Sequence, residues 1–219
     1  MKSRFFDELA ARQPELACCI PPLVRAAGLV AASIERGGKL LICGNGGSAA
    51  DAQHIAGELC KGFLSRRRLS PRIKEKLMQA SPQLDASMLD RLQWGLPAIP
   101  LTGSDSLFTA FANDVDAELV YAQQLIALGR PGDVLLAIST SGNARNVVAA
   151  AALARGMDIG VVALSGLGGG RLGTLADVKI CVPAIETFRI QELHLPVYHS
   201  LCAALEEHFE AMEWGDRLQ

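Results

Sequence analysis

Two loops in this chain of 219 residues combine glycine with hydroxyl and amide side chains. The first, at 44–48, reads Gly-Asn-Gly-Gly-Ser, and the second, at 139–143, reads Ser-Thr-Ser-Gly-Asn. Each loop follows an apolar run and precedes a predicted helix, so free backbone N–H groups and the helix dipole would attract an anion. Helix capping would explain one residue of the second loop but not its three hydroxyls. The two loops therefore predict a site for a phosphate monoester.

An imidazole and a carboxylate follow the first loop at helical spacing. His54 and Glu58 are four residues apart, which places both side chains on one face of a helix, one turn from each other. Glu58 lies roughly 15 Å from Ser48 along that helix. Such a pair can act as acid and base or bind a metal ion, and the residues alone leave both alternatives open.

A dinucleotide site is an alternative for the first loop, because 44–49 formally match G-x-G-x-x-A. That fingerprint also needs a second strand ending in an acidic residue about 20 residues further on. The chain has Leu-Ser-Arg-Arg-Arg at 64–68, which is neither acidic nor typical of a strand. No Gly-Lys-Ser/Thr follows the loop, which excludes a Walker site.

Alternating strands and helices must position these loops. Apolar runs predict five strands, at 40–43, 96–101, 133–138, 159–164 and 178–182. Between and after them the pattern predicts helices at about 104–113, 116–128, 144–155 and 187–210. This alternation is typical of an α/β domain with a parallel sheet covered on both faces, whose ligands bind at the carboxyl ends of the strands. We expect one domain over 1–219, with a doubly wound five-stranded parallel sheet flanked by helices.

Two further segments flank or interrupt this pattern. Residues 3–36 predict apolar helices divided at Pro21 and Pro22, and the apolar stripe of 14–36 is a candidate oligomer interface. The basic segment at about 64–96 predicts two short helices, at 71–80 and 84–93. We interpret it as a solvated helical insertion, with a basic lid or partner surface as the alternative.

Composition narrows the class of protein. Hydrophobic residues make up 50% of the chain, which excludes disorder, and a net charge of −2 gives no electrostatic case for nucleic acid. No unbroken run of 18 apolar residues and no signal-peptide pattern is visible, so we expect no membrane contact and a cytoplasmic location.

Four separated motifs stand out along the chain: GNGGSAADAQH at 44–54, ND at 113–114, GDVLLAISTSGN at 132–143 and RIQELH at 189–194. They resemble the motifs of the bacterial phosphoheptose isomerases and occur in that family's order. Members are sugar isomerase (SIS) domain proteins that convert sedoheptulose 7-phosphate into D-glycero-D-manno-heptose 7-phosphate. The resemblance implies an aldose–ketose isomerase that acts through an enediol, in heptose biosynthesis for lipopolysaccharide or another surface polysaccharide. It also implies a homotetramer.

The resemblance assigns roles by position. It implies that Glu58 is the base and His199 its acid/base partner. It implies substrate contacts by Asn45, Gly46, Gly47, Ser48, Asn113, Asp114, Ser139, Thr140, Ser141, Arg189 and Gln191. In some members a zinc site is described, which here would consist of His54, Glu58, Gln191 and His199. Isomerisation needs one group to move a proton between carbons and another between oxygens, which a carboxylate and a histidine can do.

The chain departs from the family pattern in three places. Ala144 replaces a frequent phosphate-binding serine, the segment 64–96 is longer than usual, and Pro196 lies inside the predicted last helix, where it removes one hydrogen bond. The alternative class is a non-catalytic SIS protein, either a sugar-phosphate binder or a regulator of replication initiation. Such regulators lack the base and the second histidine, whereas this chain has Glu58 and His199.

Overall fold

The computed structural model describes residues 1–212 and contains one five-stranded parallel sheet. Its strands are β1 (Leu40–Cys43), β2 (Ala98–Pro100), β3 (Val134–Ile138), β4 (Gly160–Ser165) and β5 (Val178–Cys181). They lie in the order β2-β1-β3-β4-β5, and every neighbouring pair is parallel. The predicted fold class and all five predicted strands are confirmed.

Helices cover both faces of the sheet. They are α1 (Arg4–Arg12), α2 (Ile20–Glu35), α3 (Gly47–Cys60), α4 (Pro71–Ala80), α5 (Ala86–Arg91), α6 (Asp105–Phe111), α7 (Val120–Leu128), α8 (Arg145–Gly156), α9 (Gly170–Leu175) and α10 (Thr187–Ala211). Alternate residues of β1 point to opposite faces, because side chains alternate along a strand. Ile42 packs in the core with α2, α3 and α10, and Leu41 packs in the core with α7 and α8.

The carboxyl ends of β1 and β3 form a topological switch point. From β1 the chain crosses to β2 on one side, and it then returns to β3 on the other side. The helices that follow these two strands, α3 and α8, consequently pack on opposite faces. A crevice between the two diverging connections is where ligands bind in open α/β sheets. Cys43 pairs with Ala137, so the loops 44–48 and 139–143 emerge side by side at this crevice.

The N-terminal segment differs from its prediction in two respects. Pro21 and Pro22 begin α2 as expected, but the break from α1 comes earlier, at a 3₁₀ turn, Pro14–Cys19. Pro14 explains this, because it lacks an N–H and disfavours helical backbone at Gln13. Leu23, Val30 and other apolar residues of α2 are buried within the chain. The stripe that we took for an oligomer interface therefore packs on the sheet.

One helical stretch among the described residues, Pro14–Glu35, is long and apolar enough to cross a membrane by length and composition alone. Our search for an unbroken apolar run missed it, because small and polar residues interrupt the stretch. In the structure 44% of its most apolar window is buried inside the molecule. Core helices meet the same criteria as membrane spans, so the stretch is weak evidence for a membrane contact.

The basic segment contains the two predicted helices, α4 and α5, but it is only partly solvated. Leu69, Ile73, Leu89 and Trp94 belong to the main hydrophobic core, and Arg67 is buried with 1% of its surface exposed. The interpretation of 64–96 as a solvated excursion is therefore wrong for these residues. The two ends of the segment meet at an antiparallel bridge between Arg68 and Gln93.

Candidate active site

The first loop is held by side chains from the opposite face of the sheet. Gly46 has a φ of +55°, and a Cβ on Gly44 would lie 2.7 Å from the carbonyl oxygen of Ser48. Both positions therefore require glycine. The hydroxyl of Tyr121 donates to the Gly44 carbonyl, and the Asn45 side chain exchanges hydrogen bonds of 2.8 and 3.0 Å with Asn146. Tyr121 and Asn146 could not be predicted from spacing along the chain, because only the folded sheet brings α7 and α8 to this loop.

The second loop is supported by a third, glycine-rich loop at 166–170. Gly142 has a φ of +66°, and a Cβ there would lie 2.0 Å from the carbonyl oxygen of Gly169. The Gly166 N–H donates to the Thr140 carbonyl at 2.9 Å. Ser139 is buried and its Oγ accepts from the Ala144 N–H at 3.4 Å, while the Ser141 Oγ accepts from the Asn143 N–H at 3.1 Å. Two of the three hydroxyls thus help to shape the start of α8.

Helices α3 and α10 lie side by side and run in the same direction. Gly47 at the start of α3 contacts the side chain of Gln191, since a Cβ on Gly47 would lie 2.3 Å from the Gln191 amide nitrogen. Two turns further on, the His54 and His199 rings lie 5.0 Å apart between centroids and meet edge to face. The helix pair therefore connects the loop 44–48 at one end with the predicted proton-transfer groups at the other.

Glu58 lies between two basic side chains. One carboxylate oxygen is 3.2 Å from His54 Nε2 and the other is 2.9 Å from Lys61 Nζ. Partial burial acts to raise the pKa of Glu58, but the hydrogen bond and charge of Lys61, together with His54, outweigh it and lower the pKa. At neutral pH Glu58 is therefore an ionised carboxylate that can accept a proton.

His199 lies in a partly apolar environment beside His54. Its ring contacts that of Phe63 at 5.4 Å between centroids. Burial, and then the charge of His54, lower the pKa of His199, and Glu58 only partly opposes them. Its Nε2 atom is buried and has no hydrogen-bond partner among the described residues. A neutral imidazole with a free ring nitrogen can exchange a proton with a bound ligand.

A hydrogen-bonded chain that the sequence analysis missed lies behind His54. The Tyr198 hydroxyl is 3.1 Å from His54 Nδ1 and donates to Asp51 Oδ1 at 3.2 Å. Burial raises the pKa of Tyr198, so this hydroxyl stays protonated. No spacing rule could find these contacts, because they join α3 to a helix more than 140 residues away.

Three sequence-predicted residues are exposed, and their side chains bond residues outside the two loops. Asn113 and Asp114 are exposed in a π-helical turn, and their hydrogen bond joins them to each other. Arg189 is also exposed, and it pairs with Glu192 at 2.9 Å and Glu15 at 3.7 Å.

The side chains predicted to bind zinc lie near one another but do not surround a common point. Among residues 1–212 no group of three or more His, Cys, Asp and Glu side chains is arranged around a common point. His54, Glu58 and the unpartnered His199 Nε2 nevertheless converge on one region, and their nitrogen and oxygen atoms are ligand types that zinc accepts. These three side chains supply suitable ligand atoms, but in the described arrangement they do not form a metal site. Gln191 lies against Gly47, about 10 Å along α3 from His54.

The sheet order and the two loops at its switch point define a class of protein, the SIS domain. Residues 4–94 and 90–166 match the family model described as SIS domain. The phosphoheptose isomerase of Methylibium petroleiphilum is 42% identical over 94% of this chain and 92% of its own length. The solved phosphoheptose isomerase of Neisseria gonorrhoeae is 36% identical, with a TM-score of 0.72 over 93% of this chain and 95% of that one. The chain therefore belongs to the phosphoheptose isomerase family of SIS-domain proteins, which confirms the resemblance.

Proposed function

We propose that the chain is an aldose–ketose isomerase that converts sedoheptulose 7-phosphate into D-glycero-D-manno-heptose 7-phosphate. The single observation that carries this proposal is the pairing of α3 and α10, which joins two anion loops to the Glu58–His199 pair. Membership in the phosphoheptose isomerase family supports the same substrate. Heptose supply for lipopolysaccharide or another surface polysaccharide and a cytoplasmic location follow from that activity as parts of the proposal.

The mechanism assigns binding and proton transfer to different ends of α3. Backbone N–H groups of Gly46 and Gly47 and the hydroxyls of Ser48, Thr140 and Ser141 hold the phosphate. Glu58 removes a proton from C1 of the ketose, which gives an enediolate, and later returns a proton to C2 to give the aldose. His199 moves the proton between the oxygens on C1 and C2. Glu58 is suited to the first step because Lys61 and His54 keep it ionised.

Zinc is part of the proposal. His54, Glu58 and His199 would hold it, with Gln191 as a fourth ligand if its side chain turns from Gly47. Bound zinc polarises a carbonyl and stabilises an enediolate. Because the three donors come from α3 and α10, metal binding would also tie these helices together.

The proposal is tested by turnover of sedoheptulose 7-phosphate by the full chain and by its Glu58→Gln variant. Gln keeps the size of the side chain but cannot accept a carbon-bound proton, so we expect a loss in rate on the order of 10² to 10⁴. Exchange of solvent deuterium into C1 should fall in parallel, and zinc content is measured beside it.

Glu75→Gln is the matched control, because Glu75 is exposed on α4 and its carboxylate accepts from Gln79 one turn further along the same helix. Binding of the substrate without turnover by the wild-type chain would favour a sugar-phosphate sensor instead. Wild-type exchange at C1 in the Glu58→Gln variant would show that another residue is the base.

A further inference from the structure

Arg67 and Glu206 form an ion pair inside the protein. The guanidinium Nε is 2.7 Å from Glu206 Oε1, and the two side chains expose 0% and 3% of their surface. A buried pair loses the hydration of both ions, and apolar residues of similar size are often at least as stabilising. Stability alone is therefore a poor explanation for a charged pair at this position.

Two further N–H groups of Arg67 donate to the end of α3. Nη1 donates to the Leu59 carbonyl at 2.7 Å, and Nη2 donates to the Glu58 carbonyl at 3.3 Å. The last carbonyls of a helix have no partner within the helix, and a cation there interacts favourably with the dipole. Arg67 thus holds the backbone of the residue to which we assign the role of base.

Glu206 lies on α10 and connects that helix to the turn after α3. Its two carboxylate oxygens also accept the backbone N–H groups of Phe63 and Leu64, at 2.8 and 2.7 Å. Phe63 in turn contacts the His199 ring. One buried carboxylate therefore fixes the turn after α3 against the helix that carries His199.

We propose that the Arg67–Glu206 pair is a positioning device for proton transfer, which holds Glu58 and His199 in register across α3 and α10. This inference rests on the proposed isomerase function and assigns a role to the basic segment that the sequence left unexplained. Neither Arg67 nor Glu206 is exposed to a substrate, so the pair acts through the residues that it holds. Its loss should reduce kcat and leave substrate affinity nearly unchanged.

The chain offers a matched control at the amino ends of the strands, opposite the two loops. Asp133 is buried and accepts from Lys39 Nζ at 2.6 Å and from the backbone N–H groups of Lys39 and Arg130, each at 2.9 Å. Like Glu206, it combines one cation with two backbone donors. It lies at the amino ends of the strands, far from both loops.

The test compares Arg67→Lys and Glu206→Gln with Lys39→Met and with Arg68→Lys, whose side chain is exposed. Lys keeps the charge opposite Glu206 but cannot reach three oxygens as the planar fork does. We expect kcat to fall about ten- to a hundredfold in the first two variants, since small misplacements of reacting groups have effects of this size. KM should stay within about threefold of the wild-type value, because the contacts that bind substrate and transition state equally are unchanged. Amide hydrogen exchange over residues 58–64 should become faster.

Lys39→Met should lower the melting temperature without changing kcat or this exchange, and Arg68→Lys should change none of the three. The proposal would be overturned if kcat were unchanged in both pair variants, or if KM rose by as much as kcat fell. An equal loss of kcat in Lys39→Met would also overturn it. If Arg67→Lys does not fold, Glu206→Gln carries the test. Should the wild-type chain not turn over sedoheptulose 7-phosphate, the proposed function fails, and faster exchange at 58–64 relative to Lys39→Met decides the positioning role by itself.

Discussion

At the scale of single residues, the Tyr198 hydroxyl determines what His54 can do. Because Tyr198 donates to Asp51, its oxygen accepts from His54, which assigns the imidazole proton to Nδ1. The Nε2 atom on the other side of the ring lies 3.2 Å from Glu58 Oε1, so Tyr198 and Glu58 together orient the imidazole beside the region that would hold zinc. Hydrogen bonds of this kind fix the tautomer and raise the basicity of metal-binding histidines.

Tyr198→Phe removes the hydroxyl and keeps the ring. We expect zinc to bind about ten- to a hundredfold more weakly, which is the usual cost of losing a partner behind a metal ligand. Titration of zinc-free protein against a competing chelator measures this without any activity assay. Ser200→Ala is the control, since the Ser200 hydroxyl donates to the Pro196 carbonyl on the same helix. Equal weakening in both variants would contradict the role of the hydroxyl.

His194 makes the folded state sensitive to acid. It is fully buried on α10, and burial lowers its pKa from 6.5 to about 4. Between these values the unfolded chain binds a proton that the folded chain does not, so stability falls as the pH falls from 6.5 towards 4. The loss attributable to this group is at most about 3 kcal/mol.

His194→Leu should flatten that part of the profile. We expect the melting temperature of the variant to change less than that of the wild type between pH 6.5 and 4. Thermal unfolding at several pH values measures the difference. Parallel curves for the two proteins would show that other groups cause the acid sensitivity.

Single residues differ in how far the sequence could predict them. The four-residue spacing of His54 and Glu58 predicts their contact, because both lie on one helix. Tyr198, Lys61 and the partners of Arg67 were not predicted, since their positions depend on how α10 packs against α3 or on the path of an irregular segment. The catalytic and metal roles of Glu58, His199 and Gln191 stay predictions.

At the scale of elements, the sequence predicts types better than junctions. Apolar runs predict all five strands, because β1, β3 and β4 are buried almost throughout. The break before α2 was misplaced, since Pro14 and the pair at 21–22 carry the same signal and only packing decides between them. Pro196 does not end α10, which continues to Ala211.

The basic segment can be divided into a removable part and an essential part. Because Arg68 and Gln93 are bridged, the chain ends left by deleting 70–91 would lie close enough for a short glycine linker. That deletion keeps Arg67 and Trp94, so we expect a folded protein with a lower melting temperature. Deleting 66–92 also removes Arg67 and leaves Glu206 buried without its cation, a change that typically costs 3–5 kcal/mol.

Circular dichroism and size-exclusion chromatography of the two deletions compare these outcomes. Aggregation of both proteins would show that Ile73 and Leu89 are needed in the core as well. Normal stability of the longer deletion would show that Arg67 contributes nothing to the fold, contrary to its burial.

At the scale of the whole molecule, an exposed apolar patch lies near the carboxyl ends of β4 and β5. Ile185, Phe188 and Leu167 expose 76%, 66% and 65% of their surface. The Leu167 N–H donates to the Ala184 carbonyl, which places the loop after β4 beside the start of α10. Large exposed apolar side chains grouped in one region are typical of protein interfaces.

We predict that the protein is a homo-oligomer, a tetramer in line with the family resemblance, and that this patch is one interface. Ile185→Asp with Phe188→Asp should shift sedimentation at micromolar concentration to smaller species, because a symmetric contact repeats each new charge. Ile126→Asp, an exposed apolar position on α7, is the control. A monomeric wild type, or dissociation only in the control, would contradict the assignment.

The parallel pairing of α3 and α10 fixes the distance between the two loops and Glu58. The anion loops lie at one end of α3, and Glu58 lies roughly 15 Å from Ser48 along a rigid helix. A phosphate anchored at the loops therefore presents to Glu58 whichever carbon lies at that distance. A sugar phosphate two carbons shorter would bind the same loops, but its C1 would not reach Glu58. The gap would exceed 1 Å, a misplacement that already reduces rates about a hundredfold. Substrate length would thus be selected by a helical rise.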